Sequence, residues 1–519
     1  MIAKIAMLIV FFAAMLGVGF YCRKHTNDVS GFVLGGRNVG PWLTAFAYGT
    51  SYFSAVIFVG YAGQFGWKFG VASTWIGLGN AFLGSLLAWV ILGRRTRLMT
   101  QHLSTATMPE FFGKRFDSKA LKIFASLLIF VFLIPYTASL YNGLSRLFEM
   151  AFSGLGVSYT ACVIVMAVLT GIYVIAGGYM ATAVNDFIQG IIMLVGIIAV
   201  VFAVLAQNGG FMGSLEGLAQ ISGNTPREQI PGVFASFFGP DPINLVFVVL
   251  LTSLGTWGLP QMVQKFYAIK SEKDITKGTI ISTVFATVVA GGCYFLGGFG
   301  RLFSDKLAVG ANGIPTGGYD AIIPKMLETL PNLLIGIVIV LVLSASMSTL
   351  SSLVLTSSST LTLDMIKDHV VKDMSEKKQV LIIRILIVIF IVISAVIAIY
   401  KDYLSAIADM MGISWGALAG AFLAPFLYGL YSQKVSRASV WVCFIFGAGL
   451  MILNMVARPY FPVFLQSPIN AGVIAMIGGL VIMPIVSLFT KKQNKNDVDD
   501  IFACYQKSVT VPSKQSLGE

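Results

Sequence analysis

The chain has few charged side chains: Asp, Glu, Lys and Arg make up 11% of its 519 residues, whereas hydrophobic residues make up 56%. It contains only 5 Cys and 3 His, and none of them has the spacing of zinc ligands or of a disulfide framework. Soluble globular proteins do not have this composition, whose mean hydropathy is +0.84. The composition is typical of a helical protein with many membrane spans.

The sequence also lacks the motifs of several enzyme classes. No Walker-type phosphate loop, nucleophile elbow or paired metal-binding histidines occur in it. The three histidines, His25, His102 and His369, fall in predicted loops, which argues against a histidine proton relay within the membrane. We therefore expect neither an enzyme nor an ATP-driven pump.

Apolar segments of about 20 residues, the length that crosses a bilayer, recur about 13 times. They lie near residues 3–21, 41–62, 70–93, 120–148, 157–176, 183–206, 243–266, 278–299, 333–363, 380–400, 404–431, 438–457 and 469–489. The net charge of +12 invites a nucleic-acid interpretation, but most Lys and Arg fall on one side of these spans. The sequence predicts a multi-pass protein of the plasma membrane, with its N-terminus outside, its C-terminus in the cytoplasm, and no nucleic-acid partner.

Two of these segments are interrupted near their middle by helix-breaking residues. Segment 41–62 contains the run Tyr-Gly-Thr-Ser-Tyr-Phe-Ser, and segment 244–265 contains Leu-Gly-Thr-Trp-Gly-Leu-Pro. A broken helix in lipid leaves backbone groups without partners unless they line a polar cavity or bind a ligand. Paired breaks of this kind indicate the binding site of a secondary transporter.

The two breaks also divide the spans into matching sets. Five spans beginning at 41–62 are followed by five beginning at 243–266, and because five is odd the second set lies inverted in the membrane. This pattern predicts an all-α integral membrane protein with a 5+5 inverted repeat. We expect residues 1–490 to form one transmembrane domain, functional as a monomer, and residues 491–519 to form a flexible cytoplasmic tail.

The ninth segment carries a cluster of hydroxyl groups. Ser348 and Thr349 follow Ala345 by three and four positions, so their hydroxyls share a helix face with the Ala345 carbonyl. Together with carbonyls freed near Thr50 and Phe53, these oxygens would suit a small hard cation. The alternative is that the Ser and Thr side chains allow close helix packing and bond to their own backbone.

Residues 345–351, Ala-Ser-Met-Ser-Thr-Leu-Ser, resemble the sodium-site signature of the sodium:solute symporter family, which includes bacterial proline, pantothenate and sugar symporters. The runs at 34–37, 177–179 and 185–190 are similar to that family as well, and the likeness extends over about residues 3–490. The resemblance implies a LeuT-type fold. It also implies a coupling sodium ion bound by the carbonyls of Thr50 and Phe53 and by Ala345, Ser348 and Thr349.

Asp186 is one of few acidic residues inside an apolar segment, where a carboxylate is costly and usually functional. Its position near one end of the helix also allows a solvated, interfacial role. The family pattern places an aspartate here beside the path by which sodium leaves. Arg37, just before the first break, is either a gating residue or an ordinary topology-setting charge.

Polar and aromatic residues around both breaks are the candidates for contacts with an organic solute. They are Tyr52, Ser54, Thr252, Thr256, Trp257 and Gln261, joined by Tyr136, which matches a tyrosine of the proline symporters. Those symporters carry an aspartate at the position of Tyr52, which puts proline in doubt here. Without an acid at the first break to hold an amine, we expect a small organic anion, pantothenate or another monocarboxylate, ahead of proline or another amino acid.

Three other functions compete with sodium-coupled symport. A proton-coupled carrier on the same fold would use Asp186 as its proton site. A channel would need a continuous polar stripe along several helices, and a membrane sensor would need an output domain. The sequence shows neither of these last two features.

Overall fold

The computed structural model describes residues 2–25, 28–152, 156–307, 309–310, 313–328, 330–370, 374–400 and 407–506. The first residues of the expected span at 404–431 and tail residues 507–519 lie outside this part of the chain. Within it the fold is helical, apart from isolated β-bridges between Val39 and Ile269 and between Val309 and Pro315.

The α-helices are numbered in chain order. The N-terminal half comprises α1 Ile2–Tyr21, α2 Val29–Leu34, α3 Pro41–Tyr52, α4 Ala62–Phe69, α5 Thr74–Gly79, α6 Arg94–His102, α7 Met108–Arg115, α8 Lys119–Ala151, α9 Tyr159–Ala206 and α10 Gly210–Ala219. The C-terminal half comprises α11 Pro242–Leu254, α12 Pro260–Ala268, α13 Glu272–Gly298, α14 Ile322–Leu327, α15 Asn332–Thr360, α16 Glu376–Ile399, α17 Ile407–Tyr431, α18 Arg437–Ala457, α19 Pro468–Phe489 and α20 Lys495–Phe502. Segments Val56–Tyr61, Asn80–Leu87, Trp89–Gly93 and Leu361–Val370 are π-helical.

Ten helical stretches in the described residues are long and apolar enough to cross a membrane, or up to 11 if the bent pair formed by α11 and α12 counts as one. This number is lower than the expected one partly because some stretches contain two expected spans. Helix α9 has 48 residues and would extend about 72 Å if straight, more than twice the ~30 Å of a bilayer core. It bends at Gly178, whose φ of 54° and ψ of −149° are not helical and suit glycine because it has no Cβ.

The first broken helix is interrupted at Phe53 and Ser54. Helix α3 ends at Tyr52, and Phe53 has extended backbone angles of φ −90° and ψ 127°. Helical structure resumes after Ser54, passes through the π-helix Val56–Tyr61 and continues in α4. The broken unit therefore runs to Phe69, beyond the expected end at residue 62.

The second broken helix has the same pattern. Helix α11 ends at Leu254, a 3₁₀ turn covers Gly255–Gly258, and Leu259 is extended with φ −86° and ψ 121°. Helix α12 then begins at Pro260, bent by 48° from the first part. Proline at the first helical position, where no backbone N–H is needed, explains why the helix restarts there.

Helix α15 lies at the centre of the bundle. Every residue from Leu341 to Thr360 is buried, and the helix packs against α3, α8 and α9. Small Ser, Ala and Thr side chains allow this close approach. Helices α16, α18 and α19 instead expose apolar side chains such as Val388, Ile445 and Val481, as expected of a lipid-facing surface.

The tail segment that was expected to be flexible contains helix α20. Just before it, Gln493 exchanges two hydrogen bonds with Arg115: the guanidinium donates to the Gln493 side-chain oxygen over 2.8 Å, and the amide nitrogen donates to the Arg115 carbonyl over 3.2 Å. The Arg115 guanidinium also lies over the ring of Phe502, 5.0 Å from its centroid. Residues 493–502 are thus packed onto the end of α7.

Candidate functional site

The hydroxyl of Thr349 lies among the backbone carbonyls released by the first break. Its Oγ1 atom is 3.3 Å from the carbonyl oxygens of both Thr50 and Phe53, and 3.1 Å from that of Ala345, one turn earlier on α15. The Ser348 hydroxyl approaches the same group of atoms by donating to Thr50 Oγ1 over 2.7 Å. The structure therefore brings together all five residues of the expected cation site.

These oxygens, three backbone carbonyls and two hydroxyls, belong to buried residues, and none of them carries a formal charge. Neutral carbonyl and hydroxyl oxygens at this density are the ligands that a hard monovalent cation uses in place of water. The direct hydrogen bonds from Thr349 and Ser348 are also what helix packing alone would produce. The geometry thus fits both a bound cation and close helix packing.

Asp186 on α9 is fully buried, so it is not a solvated residue at the membrane surface. Its Oδ2 atom lies 3.9 Å from the Nζ atom of Lys265 on α12, which is itself 2% exposed. The Lys265 ammonium also donates to Ser352 Oγ over 3.0 Å. The Ser352 hydroxyl is in turn 2.8 Å from that of Ser51, next to Thr50. A buried charge pair therefore adjoins the oxygen cluster.

Four of the expected solute residues use their polar groups within the protein: Tyr52, whose hydroxyl donates to the Thr252 carbonyl, and the three residues Thr252, Thr256 and Trp257 around the second break. Thr252 donates to the side-chain oxygen of Asn80 over 3.0 Å, and Thr256 donates to the carbonyl of Ser253 over 2.7 Å. The Trp257 indole N–H donates to the carbonyl of Leu83 over 3.0 Å. The last three residues fix the second break against the π-helix Asn80–Leu87, and the side-chain donors of all four are already satisfied.

Tyr52, Ser54 and Tyr136 surround an aromatic residue that sequence reasoning missed. The ring of Trp415 on α17 is 5.9 Å from that of Tyr52 and 5.8 Å from that of Tyr136, between centroids. The Tyr136 hydroxyl lies near the Ser54 hydroxyl and the Trp415 indole, but no hydrogen bond of normal geometry joins these groups. The same indole packs beside Gly255, so Trp415 lies between the two breaks.

Several of these buried side chains have donors that find no hydrogen-bond partner among the described residues. They are Ser54 Oγ, Tyr136 Oη, Trp415 Nε1 and Gln261 Nε2. Buried donors without partners are rare in folded proteins, because each one costs free energy. A set of them next to two helix breaks therefore indicates the place where a ligand with acceptor groups would bind.

Both broken helices are held together at the end where Arg37 lies. The Arg37 guanidinium donates to the carbonyl oxygens of Tyr267, over 3.2 Å, and of Thr100 and Thr105. Beside it, Val39 N–H donates to the carbonyl of Ala268 over 3.2 Å. Burial, and to a smaller extent the charge of Arg97, lower the pKa of the Arg37 guanidinium.

The opposite end is closed by a different arginine. Arg301 donates to the carbonyl of Trp67 over 2.6 Å and forms an ion pair with Glu228 over 3.1 Å, with its guanidinium 3.8 Å from the Phe234 ring centroid. Burial lowers the pKa of this guanidinium to about 10. Near this contact a cleft opens, whose lining includes the polar residues Gln64, Lys68, Asp241, Asp409 and Asn470. The candidate residues thus lie buried between two closed ends.

Solved structures with this arrangement of helices are ion-coupled membrane transporters. A substrate-bound, outward-open Na⁺-coupled sialic acid symporter matches with a TM-score of 0.71 and 17% identity, over 95% of this chain and 99% of that chain. Mhp1, a nucleobase-cation-symport-1 family transporter in a closed conformation with bromovinylhydantoin bound, matches with a TM-score of 0.50 and 13% identity, over 91% and 98%. The fold is that of the LeuT-type transporters.

The model of the sodium:solute symporter family matches residues 32–447, and the chain belongs to this family. It is 28% identical to the osmoregulated proline transporter of Bacillus subtilis (strain 168) over 498 residues, 94% of each chain. It is also 28% identical to the sodium/proline symporter of Staphylococcus aureus (strain JH9) over 501 residues, 94% of this chain and 92% of the relative. The protein is a multi-pass membrane transporter and not an enzyme, with sodium as its coupling ion and a small organic solute as its cargo.

Proposed function

We propose that this chain imports a small organic solute bearing a carboxylate together with sodium, by alternating access. The observation that carries the solute class is the set of buried, unpartnered donors on Ser54, Tyr136, Trp415 and Gln261. Neither broken unit, 41–69 or 242–268, contains Asp or Glu. A lining rich in donors and without an acid favours an anionic group over an ammonium group.

The restart of α12 adds a second attraction for a carboxylate. Its N-cap residue, Leu259, makes no side-chain cap, Pro260 has no N–H, and those of Met262 and Val263 donate to the Leu259 carbonyl over 3.1 Å. The first turn therefore presents the backbone N–H of Gln261 and the positive end of the helix dipole. Gln261 is the second residue of this helix, and both polar atoms of its side chain lack partners among the described residues. A carboxylate placed here would accept hydrogen bonds from both sources.

A monocarboxylate remains the preferred solute and proline is the second candidate. The expected preference for pantothenate finds no support among the relatives compared, since those are named as proline transporters. Proline also carries a carboxylate that the donor set would accept. Its ammonium group would need a different partner, because Tyr52 occupies the place of the aspartate in the proline symporters.

The proposed sodium ligands are the carbonyl oxygens of Thr50, Phe53 and Ala345 and the hydroxyls of Ser348 and Thr349. Their support is the 3.1–3.3 Å clustering of the three carbonyls around Thr349 Oγ1. Because the ligands come from α3 and α15, sodium would tie the first break to the central helix. Asp186, beside this cluster, is proposed to assist sodium on its way out.

The proposed architecture has about 13 spans within residues 1–490 and a 5+5 inverted repeat, in a functional monomer. The kink at Gly178 and the two similar breaks support it. In the proposed orientation the N-terminus is outside, the Arg37 end faces the cytoplasm and the Arg301 end faces out. One sodium ion carried with a monocarboxylate moves no net charge, so the sodium gradient alone would drive its accumulation; for zwitterionic proline a negative-inside potential would add about 2.3 kcal/mol per 100 mV, or roughly 50-fold accumulation.

Uptake into proteoliposomes tests this proposal. Proline, pantothenate, short monocarboxylates and a sugar are compared with and without an inward sodium gradient, and monocarboxylate uptake driven by sodium is expected. The Ser348→Ala/Thr349→Ala double variant removes two proposed ligands and should raise half-saturating sodium at least tenfold. Unchanged half-saturating sodium would rule out this site, and exclusive uptake of proline would overturn the preferred solute.

A further inference from the structure

Lys265 is a buried cation that neither the sodium ligands nor the solute donors account for. It lies on α12, 2% exposed, with its Nζ atom 5.1 Å from the centroid of the Tyr179 ring. Its direct polar contacts are the Ser352 hydroxyl at 3.0 Å and the Asp186 carboxylate at 3.9 Å. A buried ammonium is costly, so a lysine at this position calls for a reason.

The carboxylate of Asp186 explains part of why a lysine is buried at position 265. Both of its carboxylate oxygens are buried, and neither has a hydrogen-bond partner among the described residues. The charge of Lys265 is therefore the main compensation for the carboxylate, helped by the nearby Ser348 hydroxyl. At 3.9 Å the pair is in contact without a short hydrogen bond, so the carboxylate keeps free acceptor positions facing the hydroxyls of α15.

The same face of α15 serves both the lysine and the proposed sodium site. Ser348 belongs to the sodium ligands, and Ser352, four residues later and about 6 Å along the helix, accepts from Lys265. Both hydroxyls also reach the first break: Ser348 bonds Thr50, and Ser352 bonds Ser51. Two cation positions thus follow one another along one hydroxyl-lined helix face.

Without the Lys265 side chain, the position between Asp186 and Ser352 would have the chemistry of a sodium site. A carboxylate with free acceptor positions and the Ser348 and Ser352 hydroxyls would remain around the vacated space. These are oxygen ligands of the kind that hard cations prefer, now with a full negative charge. The ammonium group of Lys265 occupies that space in the native chain.

We propose that Lys265 is a built-in counter-cation that excludes a second sodium ion from the position between Asp186 and Ser352, and so fixes the coupling at one sodium per solute. The inference rests on the proposed sodium site, because that site supplies the single ion. Its consequence is specific: a neutral side chain at position 265 creates a second sodium site.

The experiment counts sodium ions bound to purified full-length protein, with ²²Na⁺ in a scintillation-proximity assay and no solute present. Wild type is expected to bind one sodium ion per chain. Lys265→Met and Lys265→Gln, two neutral variants in case one does not fold, are each expected to bind two. Lys265→Arg keeps the cation and should bind one, and Lys265→Met combined with Asp186→Asn should return the count to one.

Two results would overturn the proposal. One is two sodium ions bound to wild type, which needs no variant to fold, and the other is a single ion bound to both neutral variants. The failure of the sodium site itself has a different signature. In that case the Ser348→Ala/Thr349→Ala variant would still bind its ion with native affinity, whatever the outcome at position 265.

Transport measurements give a second readout. In proteoliposomes the net charge moved per solute should rise by one elementary charge in Lys265→Met, from zero to one for a monocarboxylate anion or from one to two for zwitterionic proline, and the Hill coefficient for sodium should rise from about 1 toward 2. A neutral variant that transports with the wild-type charge per solute contradicts the proposal.

Discussion

The hydroxyl of Tyr52 donates to the backbone carbonyl of Thr252 over 2.9 Å, and this hydrogen bond joins the two broken helices just before each break. Tyr52 is the last residue of α3, and Thr252 lies in the last turn of α11. The bond connects the helix that supplies sodium ligands to the helix that carries Gln261 only a few residues beyond its break. Tyr52 is therefore expected to couple the two helices in the closed state.

Replacing Tyr52 with Phe tests that coupling. The ring and its packing against Trp415 are retained, whereas a buried hydrogen bond worth about 0.5–1.5 kcal/mol is lost. We expect the apparent affinity for solute to weaken by roughly twofold to tenfold, since 1.4 kcal/mol corresponds to a factor of ten. Tyr141→Phe is the matched control, because that buried hydroxyl has no partner among the described residues. Equal solute affinity in the Tyr52 and Tyr141 variants would contradict a coupling role.

Trp415→Phe is expected to affect the solute more than the ion. The change removes the indole N–H from the unpartnered donor set while keeping an aromatic ring between Tyr52 and Tyr136. Loss of a hydrogen bond to a charged group costs about 1.5–3 kcal/mol, so the KM for solute should rise at least tenfold. Half-saturating sodium should change much less, because Trp415 supplies none of the proposed ligands.

Trp89→Phe provides the comparison for Trp415. That indole is also buried without a hydrogen-bond partner among the described residues, but it packs against Tyr48 and Phe266. Steady-state uptake at varied solute and varied sodium separates the two effects. A similar rise in KM for both variants would show that Trp415 acts through packing alone.

Gly66→Ala is expected to destabilise the protein by about 1–3 kcal/mol, the usual cost of overpacking. Helices α4 and α13 cross so closely that a Cβ at Gly66 would overlap the carbonyl of Gly297. Gly291→Ala on α13 is the control, since a Cβ there meets no atom within 4 Å and alanine favours the helix. Thermal unfolding in detergent compares the two, and equal melting temperatures would disprove the close crossing.

Asp320→Asn is expected to stabilise the protein at neutral pH. Burial raises the pKa of the Asp320 carboxyl, partly opposed by Arg146, while its Oδ2 atom accepts from the Ile407 N–H over 3.4 Å. Because the folded pKa is above the usual 3.8, the folded chain holds the proton more tightly than the unfolded chain. The protonated Asp320 carboxyl therefore contributes stability that is fully present below the usual pKa of 3.8 and is lost as the pH rises through the raised pKa.

Asparagine keeps an acceptor for Ile407 and has no charge to bury. The melting temperature of Asp320→Asn should therefore exceed that of wild type at neutral pH, and the difference should shrink toward pH 4, close to the usual value of 3.8. The exposed Asp305→Asn is the control and should show no such trend. If the difference in melting temperature between Asp320→Asn and wild type did not depend on pH, the charge of Asp320 would not be its cause.

The sequence predicted the parts of the site that depend on local pattern. Both breaks were predicted from Gly, Pro and Ser within apolar segments, and the helical spacing of Ala345, Ser348 and Thr349 placed their oxygens on one face. The structure confirms the breaks and brings that face to Thr50 and Phe53. Family membership was likewise predicted from short motifs, and the family model confirms it.

The partners across the bundle could not be predicted in this way. Lys265 was placed in a span but received no role, because nothing in one sequence says that α12 faces Asp186 on α9 or Ser352 on α15. Trp415 was missed for the same reason, since its partners lie on α3 and α8. Gln493 and Phe502 lie in a polar stretch without apolar periodicity, and their order depends on Arg115, a residue far earlier in the chain.

The two ends of the proposed pathway are closed by different kinds of contact, and salt should therefore distinguish them. Arg37 reaches backbone carbonyls and the Thr100 hydroxyl, neutral acceptors whose hydrogen bonds dissolved ions screen weakly. Arg301 closes the other end with an ion pair to Glu228, whose side chain is 19% exposed and within reach of the surrounding electrolyte. The rate of opening at the Arg301 end should rise with ionic strength while the rate at the Arg37 end stays constant, so that the medium outside biases which way the empty carrier faces.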